Sequence, residues 1–200
     1  MPYNLPYVAP GQVVGLLGGS FDPPHQGHVQ ITKEALKRFA LDQVWWLVSP
    51  GNPLKSRGPA PIQDRVLAAR TMLDHPRVHI TDIEARIGTR YTAETLQRLQ
   101  KLLPQVQFVW LMGADNLAGF HHWDRWQDIM QMVPVGVLAR PGDRMPARFG
   151  KTARVFDRAR LDMGDSRLLP HGPAPRWCFV NIPMRGESST ALRKAGRWPS

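Results

Sequence analysis

Two hundred residues are enough to bury a substantial core and suit one domain. No apolar run is long enough to cross a bilayer, so a membrane partner is not expected. Cys178 is the only cysteine, which rules out an intrachain disulfide framework, and the N-terminal MPYNLPYVAPGQ has neither a basic leader nor an apolar signal core; together these point to the cytoplasm.

The formal net charge of +10 is unevenly spread. From Leu138 onward 13 Lys/Arg face 5 Asp/Glu, a balance of +8, which leaves +2 for Met1 to Val137. Such a local excess can serve nucleic acid, a membrane surface or anionic small substrates. No arginine-rich helix with spaced aromatics, zinc-finger spacing or RNA-binding signature accompanies it, so nucleic acid is not the expected main partner.

In chain order, the apolar run Val13 to Leu17 ends at Gly18 and Gly19, and Ile31, Ala35 and Phe39 then recur at helical spacing. The stretch between, GLLGGSFDPPHQGH (Gly15 to His28), reads as strand, tight turn and helix start. A glycine pair without Cβ atoms lets a ligand approach the backbone, and a helix N-terminus offers unpaired N–H groups to phosphate. Neither a Walker loop nor a G-x-G-x-x-G is present. Instead, His25 and His28 lie three apart, able to share a face and donate to phosphate oxygens. Metal ligation is the weaker alternative, because a third ligand is not apparent and the zinc-protease pair has another spacing.

Val44 to Val48 reads as a second buried strand, and the loop Ser49 to Arg57 after it carries Lys55, by residues alone a solvated lysine. Asp64 to Leu73 has helical spacing, and Val78 to Ile80 is a brief strand. Asp82 to Thr92 reads as a polar loop, with Thr92 as the cap of a helix reaching Leu103. Val106 to Met112 and Val133 to Ala139 are further strands. Asp115, just past the first of these, can accept from ribose hydroxyls or serve as an N-cap or turn residue. In Phe120 to Trp126 an exposed indole is a stacking platform for a planar base, while Trp126, Ile129 and Met130 form a core stripe. Asp143 to Arg176 loses periodicity and reads as a basic, partly mobile loop with one helical turn. Trp177 to Ile182 is a last strand holding Cys178 as a small core residue. Ser188, Ser189 and Thr190 then cap a short helix with Arg193 one turn on, a second anion site. Buried strands alternating with helices imply an α/β domain with a mainly parallel sheet covered on both faces, the first and fourth strands flanking the switch point.

Gly18 to His28 (GGSFDPPHQGH) resembles the G-G-[ST]-F-D-P-x-H-x-G-H signature of the nucleotidyltransferase superfamily, in the form found in bacterial nicotinate mononucleotide adenylyltransferases. Four other stretches resemble that family in order: the loop of Lys55, Asp82 to Leu96, Gly113 to Trp123, and Ser188 to Arg193. Leu54, Arg90 and Glu187 depart from its pattern, standing where the family has histidine, serine and isoleucine. The resemblance implies a Rossmann-like fold and the joining of ATP and nicotinate mononucleotide into nicotinate adenine dinucleotide and pyrophosphate. It implies that His25, His28, Lys55 and Arg193 meet the phosphates. Gly18, Gly19, Ser20 and Phe21 (by backbone), with Asp115, Ser189 and Thr190, would hold ATP. Thr92 and Trp123 would hold the nicotinate, and Mg²⁺ would arrive on the ATP phosphates. A sister enzyme using nicotinamide mononucleotide or another phosphorylated acceptor stays open. So do a nucleotide- or RNA-binding protein without turnover, and a homo-oligomer.

Overall fold

The computed structural model describes residues 2–51, 58–139 and 149–183. Its strands are β1 (Val13–Gly19), β2 (Gln43–Val48), β3 (Val78–Thr81), β4 (Gln107–Gly113), β5 (Val135–Ala139), β6 (Arg160–Leu161) and β7 (Trp177–Asn181). They join in one parallel sheet of order β3-β2-β1-β4-β5-β7-β6. The helices are α1 (Gln26–Arg38), α2 (Ile62–Met72), α3 (Ile83–Ile87), α4 (Thr92–Leu102), α5 (Ala114–Gly119), α6 (Trp126–Met132) and α7 (Lys151–Val155).

Side chains alternate across a strand, so continuous apolar runs demand cover on both faces. On one face Val13, Leu17, Trp46, Val48, Val109 and Leu111 pack with Val29, Ala35 and Leu36 of α1 and Val66 and Ala69 of α2. On the other, Val14, Leu16, Trp45, Trp110 and Met112 pack with Ile83 of α3, Leu96 and Leu99 of α4, Ile129 of α6 and Ala153 of α7. The chain winds from β1 outward to β3, then returns to β4 on the far side of β1. That reversal is a topological switch point, where open α/β sheets bind ligands. The expected Rossmann-like architecture is the one observed.

Three local expectations need correction. Asp82 to Thr92 is not simply loop: it contains α3, held by Ile83 and Ile87, both buried, and closed by Gly88 in the left-handed conformation (φ 70°). Thr92 is the first residue of α4, and Tyr91 occupies the cap position without a side-chain bond. The basic stretch, where described, is folded into α7, β6 and a 3₁₀ segment Met163–His171. Its anchors fall on short, separate elements, of which only α7 answers to the expected helical turn. Ala153, Phe156 and Leu169 are buried, the Trp177 indole donates to the Phe156 carbonyl at 2.8 Å, and Arg160 lies over the Trp177 ring at 5.3 Å.

Gly18 also has a packing role that the sequence did not reveal. A Cβ there would collide with the six-membered ring of Trp110, so the glycine makes room for the indole on the neighbouring strand. Gly18→Ala is expected to destabilise by about 1–3 kcal/mol through overpacking. In urea unfolding, the loss should shrink when combined with Trp110→Phe, which vacates that space; strict additivity would contradict the packing account.

Candidate active site

Leu17 of β1 lies level with Leu111 of β4, so the two strands finish together at Gly19 and Gly113. Two loops leave from this carboxyl edge. One leads through Phe21 to α1, and the other enters α5 directly. Ile31 of α1 comes within 3.9 Å of where a Gly113 Cβ would stand, which brings the starts of the two helices side by side.

Both histidines sit in the first turn of α1. His25 is the cap residue, with extended backbone (φ −152°, ψ 168°), and His28 is the third residue of the helix. The Gly27 N–H donates to His25 Nδ1 at 3.1 Å, and the His25 N–H donates to His28 Nδ1 at 3.1 Å. This is a capping box made with imidazoles in place of hydroxyl and carboxylate. Its chemical consequence is a fixed tautomer. A ring nitrogen that accepts carries no proton, so each neutral ring holds its proton on Nε2, across the ring from the helix backbone. The two rings lie 3.9 Å apart, centroid to centroid.

A buried platform supports them. Phe21, only 1% exposed, stacks on Trp46 (4.6 Å, 11° between planes), and its other neighbour is the His28 ring at 4.7 Å. Phe21 reaches this place in the left-handed conformation (φ 47°), unusual for a bulky residue and characteristic of functional loops. The Trp46 indole donates to Thr32 Oγ1 at 2.7 Å, and the Thr32 hydroxyl donates to the His28 carbonyl at 2.9 Å. Trp46 and Thr32 were not singled out from sequence, because each reads as an ordinary member of a strand or helix pattern.

Asp115 is exposed in the first turn of α5, its Oδ1 lying over Gly113 where a Cβ would collide with it. Gly113 is thus the cap position, and Asp115 makes no capping bond. Trp123 is half-buried and set edge-on to Trp110 (6.2 Å, 81°) and to Phe120 (5.1 Å, 62°). Trp110 therefore links Gly18 to Trp123. Trp126 packs against the core through Phe120 and Phe156, as expected of a core residue. Thr92 opens α4 on the same face of the sheet as Trp123, opposite to the face of α1. Lys55, Ser189, Thr190 and Arg193 lie outside the described residues.

Behind Thr92 is a buried carboxylate that sequence did not reveal. Glu84 of α3 is 5% exposed and accepts from Thr95 Oγ1 of α4 at 3.0 Å, and Thr95 Oγ1 is 2.9 Å from Thr89 Oγ1. Thr89 and Thr95 thus tie the loop before Thr92 to Glu84. Burial pushes the Glu84 carboxyl up to about 7, with the Thr95 hydrogen bond working the other way.

Among the described residues no helix is long and apolar enough to cross a membrane, and no three His, Cys, Asp or Glu side chains gather to hold a metal ion.

A family model described as cytidylyltransferase-like matches residues 16–195. A relative from Ruegeria sp. (strain TM1040), named "Probable nicotinate-nucleotide adenylyltransferase", is 63% identical over 185 residues, covering 92% of this chain and 98% of that protein. One of the same name from Roseobacter denitrificans is 61% identical over 198 residues, covering 99% of this chain and 100% of that one. Among solved structures, a Plasmodium falciparum nicotinic acid mononucleotide adenylyltransferase complexed with NaAD matches with a TM-score of 0.69 at 16% identity, over 92% of this chain and 83% of that chain. That last likeness is one of fold.

The upward shift at Glu84 has a stability consequence. Folding favours the protonated carboxyl, so the stability this proton supplies is complete below the ordinary value of 4.5 and is lost as pH rises to about 7. Glu84→Gln needs no such proton. Melting curves should show the variant gaining several degrees on the wild type above pH 7, and the gain closing towards pH 4.5. Parallel melting profiles would refute a buried, proton-holding Glu84.

Proposed function

Since the chain belongs to the cytidylyltransferase-like nucleotidyltransferases, and within them to the nicotinate-nucleotide adenylyltransferase family, we propose how its residues carry out adenylyl transfer from ATP to nicotinate mononucleotide. The observation that carries the reading is the imidazole capping box at the β1–α1 turn, beside the end of β4.

A phosphate oxygen of the mononucleotide attacks the α-phosphorus of ATP. A new P–O–P bond forms, and the bond from the α-phosphorus to the departing pyrophosphate breaks. The nucleophile is already anionic, so no general base is required. The protein's task is to hold two polyanions in line and to offset charge as pyrophosphate leaves, work done by positioning and by prearranged donors.

In this reading the Nε2–H groups of His25 and His28 donate to the ATP phosphates, with His28 facing the group whose charge grows. Gly18, Gly19, Ser20 and Phe21 present backbone to the nucleotide, and Asp115 accepts from its ribose. Lys55, Ser189, Thr190 and Arg193 complete the anion contacts. Trp123 stacks on the pyridine ring, and Thr92 opens the backbone that meets its carboxylate. His25 and His28 start α1 on one face of the sheet, while Asp115, Trp123 and Thr92 belong to elements packed on the other, and in this reading ATP and the acceptor lie across the edge between β1 and β4. Mg²⁺ carried on the triphosphate would neutralise part of its charge, leaving the histidines to hold and orient the phosphates. Small soluble substrates and the cytoplasm are the setting this chemistry calls for.

Pyrophosphate release from ATP, Mg²⁺ and nicotinate mononucleotide tests the reading, with the amide mononucleotide run in parallel. Turnover with the acid and little with the amide is expected. Equal use of both would make the enzyme dual in specificity, and no release with either would overturn the assignment. His28→Ala should lower kcat by about tenfold or more, within the range of a single transition-state donor, with circular dichroism unchanged. Wild-type turnover would remove His28 from the mechanism.

A further inference from the structure

We propose that Arg65 is a positioning residue for the transfer, bracing the loop that carries the nucleotide-binding backbone against the roots of the loop that follows β2. The inference rests on the adenylyl-transfer reading above. Arg65 belongs to α2 and is 1% exposed, among the most deeply buried large side chains of the protein. Its Nη1 donates to the carbonyls of Ser20 at 2.6 Å and Ser49 at 2.8 Å, and its Nε donates to the carbonyl of Ala60 at 2.7 Å. Ser20 directly follows β1, and Ser49 directly follows β2. Ala60 lies where the chain returns towards α2, so Ser49 and Ala60 bracket the sequence that includes Lys55.

Two further contacts close the arrangement. The Ala60 N–H donates to Asp22 Oδ1 at 3.3 Å, and the Ser49 N–H donates to the Gly19 carbonyl at 3.0 Å. The turn from Gly19 to Asp22, which contains the left-handed Phe21 supporting His28, is therefore held at both ends. Burial disfavours the charge of Arg65, and the Asp22 carboxylate favours it.

Buried carbonyls at a strand end must find donors. A rigid guanidinium fork can serve carbonyls from separate chain segments while fixing their relative positions. A lysine ammonium on a flexible stem cannot reproduce that geometry. Loosening the brace leaves ATP able to bind but shifts the turn from Gly19 to Asp22, and with it the support of His28, so that the phosphates are held out of line. A misplacement of this kind weakens the in-line approach more than either binding step, so the cost falls on kcat.

The test uses Arg65→Lys and Arg65→Met of the full chain, with Val66→Ala as a control that opens a gap beneath the same helix without touching these carbonyls. Both Arg65 variants should lose about tenfold or more in kcat, with each KM within about threefold of wild type. Val66→Ala at matched loss of melting temperature should keep its kcat. Hydrogen exchange in peptides spanning residues 18–23 and 48–61 should quicken in Arg65→Lys and not in Val66→Ala. A folded Arg65→Lys with wild-type kcat, or an equal fall in Val66→Ala, would overturn the proposal. If Arg65→Met does not fold, Arg65→Lys decides alone. A wild-type chain without pyrophosphate release would sink the reaction, and the exchange comparison would still decide whether Arg65 braces the loops.

Discussion

The central strands of this sheet are covered on both faces, so the backbone groups at their ends are where the chain can meet a ligand. Parallel strands finish on one edge, and their last carbonyls and the first amides of the following helices all need partners there. The molecule satisfies them with side chains that also shape a site. Two imidazoles cap α1, and a buried guanidinium takes carbonyls from three places in the chain. What makes the edge stable is thus what makes it polar, ordered and suited to phosphate.

The same economy explains the aromatic content. Trp46 supports Phe21, which supports His28, while on the opposite face Trp110 fills the space left by Gly18 and meets the edge of Trp123. Large, stiff side chains in contact transmit position across the sheet because close-packed interiors leave them little room to shift. These two columns of aromatic rings, one on each face, join His28 and Trp123 to the sheet.

Much of this was legible beforehand. Continuous apolar runs marked the buried strands, and the glycine, proline and histidine pattern from Gly18 to His28 marked the turn after β1 and the start of α1. Thr92 was misassigned by one position because a threonine suits the cap and the first helical residue almost equally, and only the backbone conformation of Tyr91 separates them. Asp143 to Arg176 was read as a loop with one helical turn because Ala153 and Phe156 span only a single turn and Leu169 lies in a separate 3₁₀ segment, too little for a sustained period. Arg65 and Glu84 were hidden for a different reason. Charged residues in helical patterns read as solvent-facing, and nothing local to Asp64-Arg65-Val66 or Ile83-Glu84-Ala85 distinguishes a buried charge from an exposed one.

The sequence by itself determined the longer strands and the principal helices, the place of the glycine- and histidine-bearing turn after β1 and the family to which the motifs belong, because these depend on residue types at short spacing. Tertiary structure alone decided which carbonyls Arg65 joins, which tautomer His25 and His28 hold, and why Gly18 must lack a side chain. Each of those answers depends on groups brought together by packing or by the precise path of a turn: the Trp110 ring from the next strand, the Ser49 carbonyl from the next loop, the Gly27 and His25 amides turned towards the rings. Spacing along a chain carries no information about distances of that kind until the sheet has formed and set its neighbours.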